Sequence, residues 1–246
     1  METNFNEIKQ EILRRAKKAG ACKDEYSRAY ASETLSELSQ VIKDNFYWVC
    51  DNGILTVDLM EQYKEDFAAN DIYVNQNVKN GYLLCHNATV KAYGNSTVVA
   101  YGNATVVACN YTTVEAYNHA TVEAYHNTTV RAYNNTTVGA YNNTTVEAYG
   151  DAKVKAFDCA TVETYNNASV EAWDNATVEA YSYTTVEAYD CATVEVYGDA
   201  KVKAYDNAYC TSYYTIDCKL LDHAIYRVQN TNTIYYADSD IKFMKQ

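Results

Sequence analysis

Proline is absent from all 246 residues and glycine occurs only 8 times, so turns fall to Asn and Asp as well as to the few glycines. Leu, Ile and Phe are scarce too. The hydrophobic 48% comes largely from Ala, Val and 26 Tyr, too little bulky aliphatic material for an ordinary globular core but suited to a thin core of small side chains. The 8 cysteines (Cys22, Cys50, Cys85, Cys109, Cys159, Cys191, Cys210, Cys218) show no metal-ligand spacing, and no metal or cofactor is expected. No stretch approaches the roughly 20 apolar residues of a membrane span, and the polar METNFNEIKQEILRRAKKAG lacks the apolar segment of a signal peptide. The expectation is a cytoplasmic protein with reduced thiols and no membrane contact. Its N-x-Ser/Thr triplets then arise as by-products of a repeat, not as glycan sites.

Basic residues are in deficit. The net charge is −12, and the segment 87–214 holds 14 acidic against 6 basic side chains. Such a surface repels a phosphate backbone, which argues against direct nucleic-acid binding.

What the chain has in abundance is one motif. Residues 87–214 are sixteen consecutive octads, from NATVKAYG to NAYCTSYY, without insertion or deletion. With the octad positions numbered 1 to 8, the consensus is N-A-T-V-E-A-Y-G/N/D. Position 4 is Val in fifteen octads, with Cys210 the exception, and position 7 is Tyr in thirteen, with Cys109, Phe157 and Trp173 the exceptions. Fixed-period self-similarity of this kind marks a solenoid. Positions 3 to 7 alternate as a β-strand does. Positions 8 and 1 collect residues that tolerate left-handed turns. Positions 2, 4 and 6 (Ala or Thr, Val, Ala) share one face and must be buried, because Glu shares the other. The expected fold is therefore mainly β: a β-solenoid of eight-residue repeats with an α-helical N-terminal region. A Val/Ala interior favours a flat, two-sided, sixteen-residue coil of two octads. A three-sided coil of three octads would want larger side chains inside.

The flanks read differently. Residues 1–70 are expected to be helical: one helix over about 5–18, capped by Thr3 or Asn4 and ended by Gly20, a second opening at Ser32, and a third over Val57–Phe67. Residues 71–86 form a β transition with segments Ile72–Val74 and Tyr82–Cys85. Residues 215–246 lose the octad register but keep β character at Ile216–Leu221, Ile225–Val228 and Thr233–Tyr236. The helical region and this irregular tail are expected to cap the open ends.

Stacking the octads builds ladders. Position 7 gives the candidate aromatic binding ladder: Tyr117, Tyr125, Tyr133, Tyr141, Tyr149, Phe157, Tyr165, Trp173, Tyr181, Tyr189 and Tyr197. A two-sided coil divides it into two stripes on opposite faces. In-register rings stabilise neighbouring rungs, and an ordered aromatic stripe is also a docking surface. Position 5 gives the candidate acidic ladder, Glu147, Glu163, Glu171, Glu179, Glu187 and Glu195, with Arg131, Lys155 and Lys203 relieving like-charge repulsion along the series. It serves either solubility or a basic partner; mimicry of nucleic acid is a remoter reading.

Other chemistry is poorly supported. The Thr row at position 3 lacks the bare uncharged surroundings that an ice-binding face needs. Aspartates at positions 8 and 1 have the wrong period and too few glycines for a calcium-binding β-roll. His86, His119, His126 and His223 form no ligand motif, and no phosphate loop or nucleophile elbow is present. No enzyme activity is expected.

The run NATVKAYGNSTVVAYGNATVVAC, behind a helical leader containing KKAGAC, resembles octapeptide-repeat β-solenoid proteins of gut Bacteroidales and their phages. That resemblance covers most of the chain, implies a bacterial or phage cytoplasmic origin, and carries no activity or site residues with it. The coils are also similar in outline to the sixteen-residue coils of bacterial ice-nucleation proteins, without their Thr-x-Thr signature. The expected function is a non-enzymatic interaction scaffold presenting Tyr and Glu ladders to a protein partner, such as a phage-derived inhibitor of a host protein. The alternative is a self-assembling homo-oligomeric solenoid.

Overall fold

The computed structural model describes residues 4–237. Its solenoid is the two-sided one. Octads alternate between a twelve-strand sheet, which takes the even octads, and a nine-strand sheet, which takes the odd ones. Each strand pairs in parallel with the strand two octads on, Thr145 with Thr161 and Thr161 with Thr177 in one sheet, Lys153 with Ser169 in the other. The physical reason is the one the octad states. Val at position 4 and Ala at position 6 are fully or almost fully buried from Val90 to Ala204, and these small residues fill the gap between the two sheets as one continuous core.

Turn chemistry fixes the octad length. Position 8 adopts the left-handed conformation at Asn110, Asn118, Asn134, Asn142, Asp158, Asn166, Asp174 and Asp190, among others, a geometry that Asn and Asp reach more easily than other non-glycine residues. At four of the five position-2 threonines the buried hydroxyl is satisfied locally: Thr112, Thr128, Thr136 and Thr144 each donate to the carbonyl three residues back, at 2.6–2.8 Å, whereas the buried Thr184 hydroxyl makes no hydrogen bond among the described residues.

Six helices lie among the described residues, five of them short. They are α1 (Phe5–Lys18), α2 (Lys23–Ala31), α3 (Leu35–Asp44), α4 (Phe46–Asp51), α5 (Val57–Gln62) and α6 (Lys64–Ala68). Helix α1 has the expected bounds, ending before Gly20 at φ +75°. Asn4 precedes it without a capping hydrogen bond, and Thr3 lies outside the described residues. Helix α2 escapes sequence reading because it buries only Ala29 and so carries little apolar periodicity. Helix α3 opens at Thr34, whose hydroxyl accepts the Glu37 N–H, two residues after the expected Ser32. The expected third helix is split at Tyr63 into α5 and α6.

Two expectations about the ends are revised. The helices do not simply lie over an open end. In Gly81–His86, Leu83 and Cys85 point into the solenoid core, whereas the intervening Leu84 packs with the helices. Val99 of Ser96–Tyr101 joins the helical core in the same way, so the helical region sits against the outer face of the twelve-strand sheet at its first rungs. The exposed edge of the other sheet is covered by Asn77 and Val78: Val78 bridges to Ala92, and Asn77 Oδ1 accepts the Lys91 N–H at 2.8 Å.

At the other end the coil continues past residue 214. Lys201 pairs with Asp217 and Tyr209 with Ile225, still two octad lengths apart. The motif disappears there but the register does not, because Cys218, Leu220, Tyr226 and Val228 occupy the inward positions with a different set of side chains. Tyr226 stands where Val is usual and plugs the core. Its hydroxyl accepts the Ile216 N–H at 3.0 Å, donates to the Tyr214 carbonyl at 3.2 Å, and shares a hydrogen bond with Ser212 Oγ at 2.7 Å. Thr233–Tyr236 then folds back antiparallel on Ile225–Val228.

Candidate binding faces of the solenoid

The two-octad coil sorts every outward side chain by octad parity. On the twelve-strand face, Tyr101, Tyr117, Tyr133, Tyr149, Tyr165, Tyr181 and Tyr197 form one unbroken stack, with ring centroids 4.8–5.1 Å apart and planes within 17°. On the nine-strand face the stack runs Tyr125, Tyr141, Phe157, Trp173, Tyr189, Tyr205. The candidate ring ladder is thus two ladders on opposite faces, as expected for this coil.

Ring and carboxylate rows are hydrogen-bonded into one lattice. The hydroxyls of Tyr149, Tyr165 and Tyr181 donate to Glu147, Glu163 and Glu179 at 2.8–2.9 Å, and Tyr189 donates to Glu187 at 2.8 Å. Position 5 and position 7 of one strand lie on the same face two residues apart, so the pairing is intrinsic to the octad. It moves the phenols. Burial, followed by the Glu147 hydrogen bond, pushes Tyr149 up to about 12. For Tyr165 the Glu163 hydrogen bond comes first and burial second, with the same result of about 12.

The acidic series does not survive as one ladder. Glu147, Glu163, Glu179 and Glu195 are successive rungs of the twelve-strand face, whereas Glu171 and Glu187 are on the opposite sheet. Lys155 and Lys203 belong to that opposite sheet too. They pair with Glu171 at 2.9 Å and Glu187 at 2.8 Å, and so relieve nothing on the Glu147–Glu195 row. Arg131 does relieve it, by spanning two rungs: its guanidinium lies 3.1 Å from Glu147 and 3.6 Å from Glu115.

Over the outward strand positions, leaving aside the turn aspartates, this sorting gives the two faces opposite sign. The twelve-strand face carries Glu115, Glu147, Glu163, Glu179 and Glu195 against Arg131 and Arg227. Outward on the nine-strand face stand Lys91, Lys153, Lys155, Lys201, Lys203 and Lys219, against Glu123, Glu171, Glu187 and Asp217. Sequence reading missed this segregation. The signal was present: every repeat-tract lysine falls in an odd octad, which becomes meaningful once the coil is known to hold two octads.

The helical region occupies the first rungs of the acidic face. Asp51, at the end of α4, accepts hydrogen bonds from both Tyr101 and Tyr117. Tyr117 also donates to Glu115 at 2.8 Å, and Glu115 is only 6% exposed, with burial raising its carboxyl above the usual range. Tyr117, expected as part of the binding ladder, is therefore already engaged within the molecule. Among the described residues, no helix is hydrogen-bonded to the rings from Tyr149 to Tyr197.

One turn edge carries a further ladder. Asp158, Asp174, Asp190, Asp206 and Asp222 stack along the edge that follows the nine-strand sheet, each carboxylate from Asp174 onward accepting the backbone N–H of the aspartate one rung earlier at 3.2–3.3 Å. This is the turn role expected of them, extended into a row.

The fold defines the class: a two-sheet parallel β-solenoid of about nine coils with a helical N-terminal region. No protein-family model matches the chain, and comparison with curated proteins and with solved structures finds no match. Among the described residues no cluster of His, Cys, Asp and Glu is arranged to hold a metal ion, and no helix is long and apolar enough to cross a membrane.

Proposed function

We infer that the protein is a non-enzymatic interaction scaffold whose working surface is the acidic, ring-lined face between Tyr149 and Tyr197. The observation that carries this reading is the lattice itself. Tyr149, Tyr165 and Tyr181 are held by stacking and by their own glutamates, so a partner meets side chains that have already lost their rotamer freedom. Preordering of this kind lowers the entropic cost of association. A protein partner presenting basic side chains fits the charge, and Arg131 supplies the pattern for how a cation sits between glutamates of neighbouring rungs.

Partner capture tests the reading. The wild type and a Tyr149→Ser/Tyr165→Ser/Tyr181→Ser variant are compared as baits, with β-structure monitored by circular dichroism. Loss of capture with the coil intact is expected. Equal capture by the two baits refutes the assignment of this face.

A further inference from the structure

We propose that the partner of the acidic face is the basic face of a second copy of this chain, so that solenoids stack laterally, front to back. This rests on the reading of the Tyr149–Tyr197 face as the working surface and names its occupant. Three observations support it.

The first is complementary charge on the two sides of one molecule. Among the described residues, Glu163 and Glu179 make no ion pair, and on the opposite face the exposed Lys153 and Lys201 make none either. Each face thus carries charge outside any ion pair, of the sign opposite to the other's.

The second is register. Lys153 and Lys201 are three rungs apart, linked through Ser169 and Thr185. Glu147 and Glu195 are also three rungs apart, linked through Glu163 and Glu179. Both rows follow the same strand spacing of about 4.8 Å, so two lysines of one copy reach two glutamates of the next simultaneously, about 14 Å apart, with Glu147 shared between its lysine and Arg131.

The third is access. The helical region sits at Leu84 and Val99 and engages Tyr101 and Tyr117, which leaves the later rungs as the seat and shifts the second copy toward the C-terminal end of the rod. Four rungs from Tyr149 to Tyr197 present about 19 Å of rod by about 17 Å of strand, or about 330 Å² per partner, below the ~1,000 Å² total of the smallest specific interfaces. Contact of this size is weak and depends on concentration. Because front meets back, each added copy exposes a new front, and the assembly is open-ended.

The experiment uses the full-length protein alone, in sedimentation velocity over a concentration series. At low ionic strength the weight-average mass is expected to rise above twice the 27.7 kDa of the monomer, and to return to the monomer at ~0.5 M salt, where the Debye length falls to about 4 Å. Lys153→Glu/Lys201→Glu and Glu147→Lys/Glu195→Lys are each expected to stay monomeric with unchanged circular dichroism. An equimolar mixture of the two should assemble again, since the acidic positions of one variant then face the basic positions of the other at every interface. A wild type that remains monomeric at all concentrations overturns the proposal; if the triple Tyr→Ser variant still loses capture of another protein, the scaffold reading survives alone. Growth that ignores both charge reversals indicates end-to-end stacking and overturns it as well.

Discussion

Removing the ring of Tyr165 tests whether the stacks hold the rod together. Tyr165 lies in mid-ladder, 4.8 Å from Tyr149 and 4.9 Å from Tyr181, and its hydroxyl donates to Glu163 at 2.8 Å. Each stacked pair is worth about 0.5–1.5 kcal/mol beyond area burial, so Tyr165→Ala should cost about 1–3 kcal/mol from its two neighbours. Tyr165→Phe keeps both stacks and loses one hydrogen bond to a half-exposed carboxylate, for about 0.5–1.5 kcal/mol. Tyr183 provides the control. It occupies a turn, is 69% exposed and stacks on no ring among the described residues, so Tyr183→Ala should fall within about 0.5 kcal/mol of wild type. Guanidinium unfolding with unchanged slope gives the three differences. A double-mutant cycle between Tyr149 and Tyr165 should return a coupling of about 0.5–1.5 kcal/mol. If Tyr165→Ala is no more destabilising than Tyr183→Ala, the ladders do not stabilise the coil and the stacking argument fails.

Two further outcomes follow from the same geometry. The phenols of Tyr149 and Tyr165 are raised from 10.0 to about 12 in the fold; because the neutral form is favoured, their stabilising contribution is complete below pH 10 and disappears as pH rises from 10 through 12. Absorbance at the phenolate band should therefore show ladder tyrosines ionising together with loss of β-structure, and ionisation of all tyrosines near pH 10 with the coil intact would contradict this. At the C-terminal plug, Tyr226→Phe leaves the Ile216 N–H without its acceptor and should cost about 1–3 kcal/mol, with faster amide exchange confined to residues around 212–228; uniform exchange along the rod would refute a local role.

Much of this was legible in the octads, for a physical reason. A repeat that must bury Val and Ala while exposing Glu admits only one inside face, and side chains as small as Val146 and Ala148 fill only a narrow gap. What escaped reading lay where the rule is suspended. Val99 stands at position 5, where half of the octads hold Glu, and it is fully buried because the helices cover it; on the outer face of the twelve-strand sheet it marks the helical docking site. The coil beyond residue 214 escaped because Tyr226 replaces Val in the core, so the pairing persists while the motif does not. Segregation of Lys155 from Glu163 onto opposite faces is invisible one octad at a time.

The two-octad coil underlies every assignment of side chain to face, and cysteine cross-linking tests it directly. With the exposed Cys22, Cys159 and Cys191 replaced by serine, two double variants are oxidised under mild conditions. Thr161→Cys/Thr177→Cys joins residues paired across adjacent strands, at about 4.8 Å and within the Cα range for a disulfide. Thr161→Cys/Thr185→Cys places its thiols on opposite sheets, outward and beyond the ~7 Å limit. A disulfide is predicted in the first and none in the second; bonding in the second but not the first would show a three-octad coil and contradict the two-faced solenoid.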